Sequence, residues 1–373
     1  MEKTIQMYNI PVSIQIPDIY KQGIKKFRAQ FNSLPDTNAN PLVEIRVVDN
    51  DTSASTETLN NPSSHKLLKD GFTAKYPKYT ICYYYKNSKL KIEVRLFKQG
   101  NKAIEYLKKL YNIQYENIEE RLTQIIWENC LYPAVYFFPE YTLVHCSGFS
   151  YNNEEALLLG GTGGVGKTSL ELELAKNENF GFLNDDIAIL NKTGQVYPNL
   201  SWPKIYAYNL VHNKKIKDLI FANRSIDDKL AWKIKKGIFG SSKVRRTINP
   251  SELFSKATSL SPVPLKKYIF LSRGNYSKLK LKKFNTEKVA ELNVSVLKTE
   301  FSDFEKHLNW HYFNSVLADK KPIIDLEVVH RNWLKLNHDI FKDVACYIME
   351  IPISMPHNRF KSSASKMISK LFE

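Results

Sequence analysis

Gly161-Thr162-Gly163-Gly164-Val165-Gly166-Lys167-Thr168 fits the pattern G-x-x-x-x-G-K-[ST]. Glycines in such a stretch let several backbone N–H groups converge on one phosphate. A helix starting at its end adds the positive end of its dipole. Lys167 would supply a mobile cation for the β- and γ-phosphates of a nucleotide, and Thr168 a hydroxyl for Mg2+. Ser169, the next residue of that helix, completes the expected nucleotide-binding stretch. A chance match in a chain of 373 residues is on the order of one per cent. The glycines at 161, 163 and 166 also spell the dinucleotide fingerprint G-x-G-x-x-G. That fingerprint has no use for the Lys167-Thr168 pair, and it asks for one carboxylate about 20 positions later, where this chain has two.

Those two are Asp185 and Asp186, set between the apolar runs Phe180 to Leu183 and Ile187 to Leu190. Adjacent carboxylates at a strand end point to opposite sides. One can face a metal ion while the other faces an acceptor hydroxyl, and phosphoryl transfer needs both jobs done. His145, in Leu143-Val144-His145-Cys146, has two readings: a satisfied core residue, or a group that orients an aspartate or contacts phosphate.

Strands must present these groups. Tyr141 to Phe149 reads as one strand and Glu155 to Leu159 as the next. An amphipathic helix carrying Leu170, Leu172 and Leu174 follows the loop. A strand pair is expected at Gly181–Leu183 and Ile187–Leu190. Upstream, Leu42–Val48, Thr80–Tyr85 and Lys89–Phe97 read as strands, and Ala103–Tyr111 and Ile118–Trp127 as helices. Asp49 to His65 is polar and reads as a surface loop. Downstream, strands at Lys267–Leu271 and Lys278–Phe284 alternate with helices at Ser302–Phe313, Val328–Leu336 and Ser362–Phe372. Three segments result: residues 1 to 138 as an N-terminal α+β domain, 139 to 310 as the phosphate-loop domain, and 311 to 373 as a mostly helical C-terminal segment.

With 43% apolar and 25% charged residues, the chain has ample material for a core, which excludes disorder over its whole length. The charge balance of 54 Lys+Arg against 38 Asp+Glu, or +16, favours anionic partners without choosing among them. No run approaches the about 18 apolar residues of a membrane span. Nucleic-acid recognition would want aromatics interleaved with the cations in a known module, and none is visible. The basic stretch Gly237 to Arg246 (GIFGSSKVRR) reads as a flexible loop that either closes over a phosphate or is solvated surface. Cys82, Cys130, Cys146 and Cys346 have no zinc-site spacing and are expected to be free thiols in a reducing cytoplasm.

The segments Leu143-Val144-His145, Gly160 to Thr168 and Gly181 to Asp186 together resemble the HPr kinase/phosphorylase family and its HPr-kinase-like relatives. The resemblance covers about residues 141 to 200. It implies an α/β fold with a phosphoenolpyruvate-carboxykinase-like P-loop kinase core, ATP and Mg2+ as cofactors, and transfer to a serine-like hydroxyl of a peptide or protein acceptor. On matching positions, Lys167 would bind the β- and γ-phosphates, Thr168 and Asp185 the metal, and Asp185 and Asp186 would divide metal-binding and base roles with His145 in support. The N-terminal domain is then expected to recognise the acceptor, and a homo-oligomer stays open. Asn184 departs from the family, which usually has a small residue there. The later signature tied to the reverse, phosphorolytic reaction has no match. Two other readings stand beside this one: a nucleotide-binding NTPase switch or assembly protein, and a kinase of free serine.

Overall fold

The computed structural model describes residues 3–17, 36–48, 65–77, 79–96, 118–199, 201–211, 213–255 and 260–373. In the N-terminal part, apolar and polar residues alternate with the period of a half-buried strand. β1 (Lys3–Met7), β2 (Ile10–Gln15), β3 (Val43–Val48), β4 (Leu67–Leu68), β5 (Gly71–Tyr76), β6 (Tyr79–Lys86) and β7 (Lys89–Leu96) form one sheet in the order β1-β2-β3-β7-β6-β5-β4. β7 buries Leu90, Ile92 and Val94, as its alternation predicts. α1 (Ile118–Ile126) lies where a helix is expected. The expected helix Ala103–Tyr111 lies outside the described residues, as does all of the expected polar loop except His65.

The described residues up to Pro139 form one compact unit together with Lys298–Asn332. Glu140–Leu297 and Trp333–Glu373 form the second. The segment 311 to 373 is therefore divided between units. Helix Ser302–Leu317 carries Phe304 and His311, whose rings meet Tyr83 and Phe72 at 5.4 and 5.0 Å between centroids. These contacts tie it to the first sheet.

The second unit contains β8 (Tyr141–Tyr151), β9 (Glu155–Gly160), α2 (Lys167–Leu174), β10 (Phe180–Asn184), β11 (Ile187–Asn191), β12 (Gln195–Tyr197) and β13 (Lys204–Tyr206). Then come α3 (Lys214–Phe221), α4 (Ile226–Phe239), β14 (Arg245–Thr247), β15 (Val263–Gly274) and β16 (Lys280–Lys283). α5 (Thr286–Glu300) as far as Leu297, α6 (Leu326–Phe341) from Trp333 on, β17 (Ala345–Pro352) and α7 (His357–Ser369) complete it. The fold is mixed α/β. β9 runs parallel to β15, and β15 runs parallel to β17. The pairings β8–β9–β15–β12–β11–β8 close on themselves, so the sheet curls. Alternation of side chains then separates two cores. On one face Leu157, Leu159, Ile269 and Leu271 pack with α2 and α7. On the other, Val144, Leu158 and Tyr268 pack with Val289 and with the α6 residues Leu336, Ile340 and Phe341.

One expectation is extended here and one changes. The segment 311 to 373 is mostly helical, as expected, but it also holds β17, a strand flanked by β15 and β16. Gly237 to Arg246 is a loop only from Gly240 to Val244: Gly237–Phe239 completes α4, and Arg246 is fully buried in β14. There it donates to both carboxylate oxygens of Asp228, at 2.7 and 3.3 Å, and lies over the Trp232 ring. Among the described residues no helix is long and apolar enough to cross a membrane.

Candidate active site

The chain leaves β9 at Gly160 and must turn sharply into α2. Gly161, Gly164 and Gly166 take φ of 129°, 79° and 114°, values that side chains on Cβ disfavour. Gly166 caps the helix, and a Cβ there would stand 2.6 Å from Phe360 Cε1 of α7. A Cβ built on Gly163 or Gly164 would meet nothing within 4 Å. The loop is therefore pinned at its two ends and open in the middle, which is the form of a cradle. Gly166→Ala should lower stability by about 1–3 kcal/mol, from left-handed strain plus overpacking against Phe360. Thermal unfolding of the full chain measures it, and an unchanged midpoint would mean that Phe360 yields freely.

Lys167 is only 8% exposed. Its ammonium folds back over the loop and donates to Gly161 O at 2.8 Å and Thr162 O at 3.0 Å. It also lies 3.0 Å from His145 Nε2. An ammonium can only donate, so Nε2 must accept and His145 is neutral. Burial, with the Lys167 charge second, lowers the imidazole to about 4, so it stays neutral at physiological pH.

The acids sit in the turn between β10 and β11, and both strands pair with β8. The break in register faces Cys146 and Ser147, and Cys146 N–H donates to Asp186 O at 3.0 Å. That is why His145, the residue before Cys146 and the partner of Ile187 in the ladder, reaches the same place. Asn184, the departure from the resembled pattern, is fully buried and donates to Cys146 O at 3.0 Å. Gly148 makes room for it: a Cβ there would lie 2.0 Å from Asn184 Oδ1. The two carboxylates face different surroundings, as adjacent residues should. Asp185 is 4% exposed and accepts from Lys204 N–H at 3.0 Å and from Ser147 Oγ at 3.4 Å. Burial, then the neighbouring Asp186 charge, pushes it up to about 6. The Asp186 side chain is 37% exposed, on a left-handed backbone with φ 62°. Partial burial works against its ionisation, but Lys204, paired with it through Nζ, outweighs that, with Arg245 adding to the effect. Asp186 is thus held well below the usual carboxylate range.

Sequence reasoning missed three members of the site. Lys204, in Trp202-Pro203-Lys204, contacts both acids. Ser147 bridges Asp185 and Glu171, its Oγ 3.4 Å from Glu171 Oε2. Glu171 itself, on the phosphate-loop helix, is fully buried. Leu170 and Leu174 pack in one core while Leu172 packs in another. Leucines at every second position do not make one helical stripe, and that mismatch signals a helix buried on several sides. Burial raises the Glu171 carboxyl well above its usual range, with Asp185 and Asp186 adding to the effect. A raised acid stabilises fully below its unfolded pKa and loses that contribution as pH rises towards its folded one. Glu171→Gln should therefore leave the melting temperature near wild type at pH 4 and raise it by at least about 2 °C at pH 8. Equal shifts at both pH values would show that the carboxyl titrates normally.

No family model matches the chain, and no curated protein does. What the site can do must be read from its own groups. The loop brings backbone donors and a cation, and the turn brings one ionised acid at the surface and one beneath it. Thr168, at the head of α2, adds a hydroxyl that is partly exposed. Among the described residues no cluster of three or more His, Cys, Asp or Glu could hold a metal by itself. Mg2+ does not require one, since it keeps waters and takes phosphate oxygens beside one or two carboxylates. Val244-Arg245-Arg246 contributes unequally: Arg246 is bound to Asp228, whereas Arg245 donates to Tyr206 Oη at 2.7 Å and acts on Asp186. The four cysteines are free and buried, and burial pushes the Cys146 thiol up to about 12, so it is an inert neighbour of the site.

Proposed function

We propose that the second unit is an ATP- and Mg2+-dependent phosphotransferase of the HPr-kinase-like type, with a phosphoenolpyruvate-carboxykinase-like P-loop core. Its acceptor would be a serine-like hydroxyl on a peptide or protein. One observation carries this reading: His145 touches the phosphate-loop lysine at 3.0 Å, and the next residue, Cys146, donates its N–H to Asp186 O at 3.0 Å, so the cradle and the acids meet on one strand. The loop from Gly161 to Ser169 would hold the triphosphate. Thr168 and one of the acids would hold Mg2+, which neutralises phosphate charge when bound. Lys167 would turn from the carbonyls of Gly161 and Thr162 to the β- and γ-phosphates. Asp186, ionised and accessible, would take the proton of the acceptor hydroxyl while that oxygen bonds to the γ-phosphorus and the bond to the ADP oxygen breaks. Two carboxylates in unlike surroundings favour transfer over an NTPase switch, which needs one metal carboxylate and a positioned water. A cytoplasmic location is part of this reading, as ATP and reduced thiols are found together there.

Incubation with γ-labelled ATP, Mg2+ and three acceptors (serine-containing peptides, a candidate protein and free serine) tests it. Label on a peptide or protein hydroxyl supports the proposal. Label on free serine moves it to a small-molecule kinase, and labelled phosphate alone moves it to the switch.

A further inference from the structure

Helix α4 has a face that the described residues of its own unit leave exposed. Ser225 caps it by accepting from Asp228 N–H at 3.2 Å, and the chain leaves through Gly240 at φ 83°. Its inner side is fixed by the buried Asp228–Arg246 pair and by Trp232, which packs with Ala207 and Val244. The helix therefore cannot roll. On the outer side Ile226, Leu230, Ile234 and Ile238 are 82%, 57%, 44% and 68% exposed. They recur every four residues and form one of the ridges by which helices interlock. Isolated exposed apolar residues are ordinary, but an aligned row marks an interaction site.

The charges beside the ridge are one-sided. At about 100° per residue, Lys229, Lys233 and Lys236 fall along one edge. The other side begins with Asp227 and continues with buried Ala231. A bilayer surface favours cations on both flanks of an apolar face, and here one flank starts with a carboxylate. A second copy fits no better: a two-fold antiparallel pairing of two such ridges lays lysine edge against lysine edge, in a chain of net charge +16. We propose that α4 is a docking ridge for an amphipathic helix of a partner protein whose matching edge is acidic. This goes beyond the phosphotransferase reading and stands without it. The seat is nonetheless close to the acids along the fold: Asp228 holds Arg246 of β14, Arg246 is opposite Ile205 of β13, and Lys204 precedes it.

The test uses the full chain and a fluorescein-labelled, lactam-stapled peptide of about four helical turns, with leucine at every fourth position and glutamate along one edge. Saturable binding is expected with a Kd on the order of 10 µM. Leu230→Glu with Ile234→Glu should weaken it about tenfold or more. Both positions are exposed, and an unchanged circular dichroism spectrum checks the fold. A lysine-edged version of the peptide should bind poorly to the wild type and recover on Lys229→Glu with Lys233→Glu. Four results would each overturn the proposal: no binding of the glutamate peptide, equal binding of both peptides, tighter uptake by phosphatidylserine vesicles, or a solution dimer broken by Leu230→Glu.

Discussion

Lys167→Met is expected to lower phosphoryl transfer by at least about 1,000-fold, in keeping with the loss of a cation or oxyanion donor from a preorganised site. Methionine keeps most of the length of the side chain and removes its charge. It also leaves Gly161 O and Thr162 O without the donor that now closes the loop on itself, and the acceptor on the buried Gly161, so stranded, costs about 1–3 kcal/mol. A lower melting temperature is therefore expected alongside the lost activity, so activity alone would not separate a chemical role from a structural one. His145 separates them. Its imidazole is depressed first by burial and then by Lys167. In a folded Lys167→Met chain the burial stays and the charge goes. The titration midpoint of His145 by NMR should then rise from about 4 towards the ordinary histidine range without reaching it. Lost transfer with that partial rise means that the cation acted on the phosphate. A full rise means that the pocket opened. Transfer retained at wild-type rate would remove the foundation of the proposed function.

The parts of this site that were legible in the sequence are those built from contiguous residues. The strand-loop-helix at Glu155 to Leu174 was readable because each step has a letter-level cause: leucines for a buried strand, glycines for positive φ, then the lysine and hydroxyl that open a helix. The strands around Asp185-Asp186 were readable because two apolar runs flank them. What stayed hidden depends on pairing across the chain. β17 lies parallel to β15 in the register Lys267↔Ala345 through Gly274↔Pro352. No hairpin turn announces such a partner. Helix Ser302–Leu317 buries Glu305, His307, His311 and Asn314 beside Phe304 and Leu308, so no apolar stripe in its sequence says which sheet will cover it. Glu171 is the sharpest case. A glutamate on an exposed helix face and one sealed against Asp185 share the same letter, and only the failure of the leucines to make a single stripe hints at the difference. Arg246 teaches the same lesson in reverse, since a cation in a basic run became a buried tie to Asp228.

The acids should divide unequally. Asp186→Asn is expected to cut transfer by about 100- to 10,000-fold, the range for removing a proton-accepting group, with little change in fold. Its carboxylate is the accessible one, and Lys204 keeps it ionised at every pH the protein tolerates. The loss should therefore be the same from about pH 7 to pH 9, above the range in which Asp185, relieved of the Asp186 charge, would shift its own titration. Asp185→Asn should behave differently. Asparagine keeps one oxygen to accept from Lys204 N–H, and its amide nitrogen would face Ser147 Oγ, which can accept, so the turn should survive. It removes a charge that exists only above the raised range of Asp185, where burial and the neighbouring Asp186 have pushed the carboxyl up to about 6. If that inner charge helps to hold Mg2+, wild-type activity climbs as pH rises through about 6, and the climb vanishes in Asp185→Asn. A pH–rate profile of the two variants decides between the roles. Should Asp186→Asn stay active while Asp185→Asn is dead at all pH values, the inner carboxyl is the proton acceptor, and the surface acid serves only to anchor Lys204.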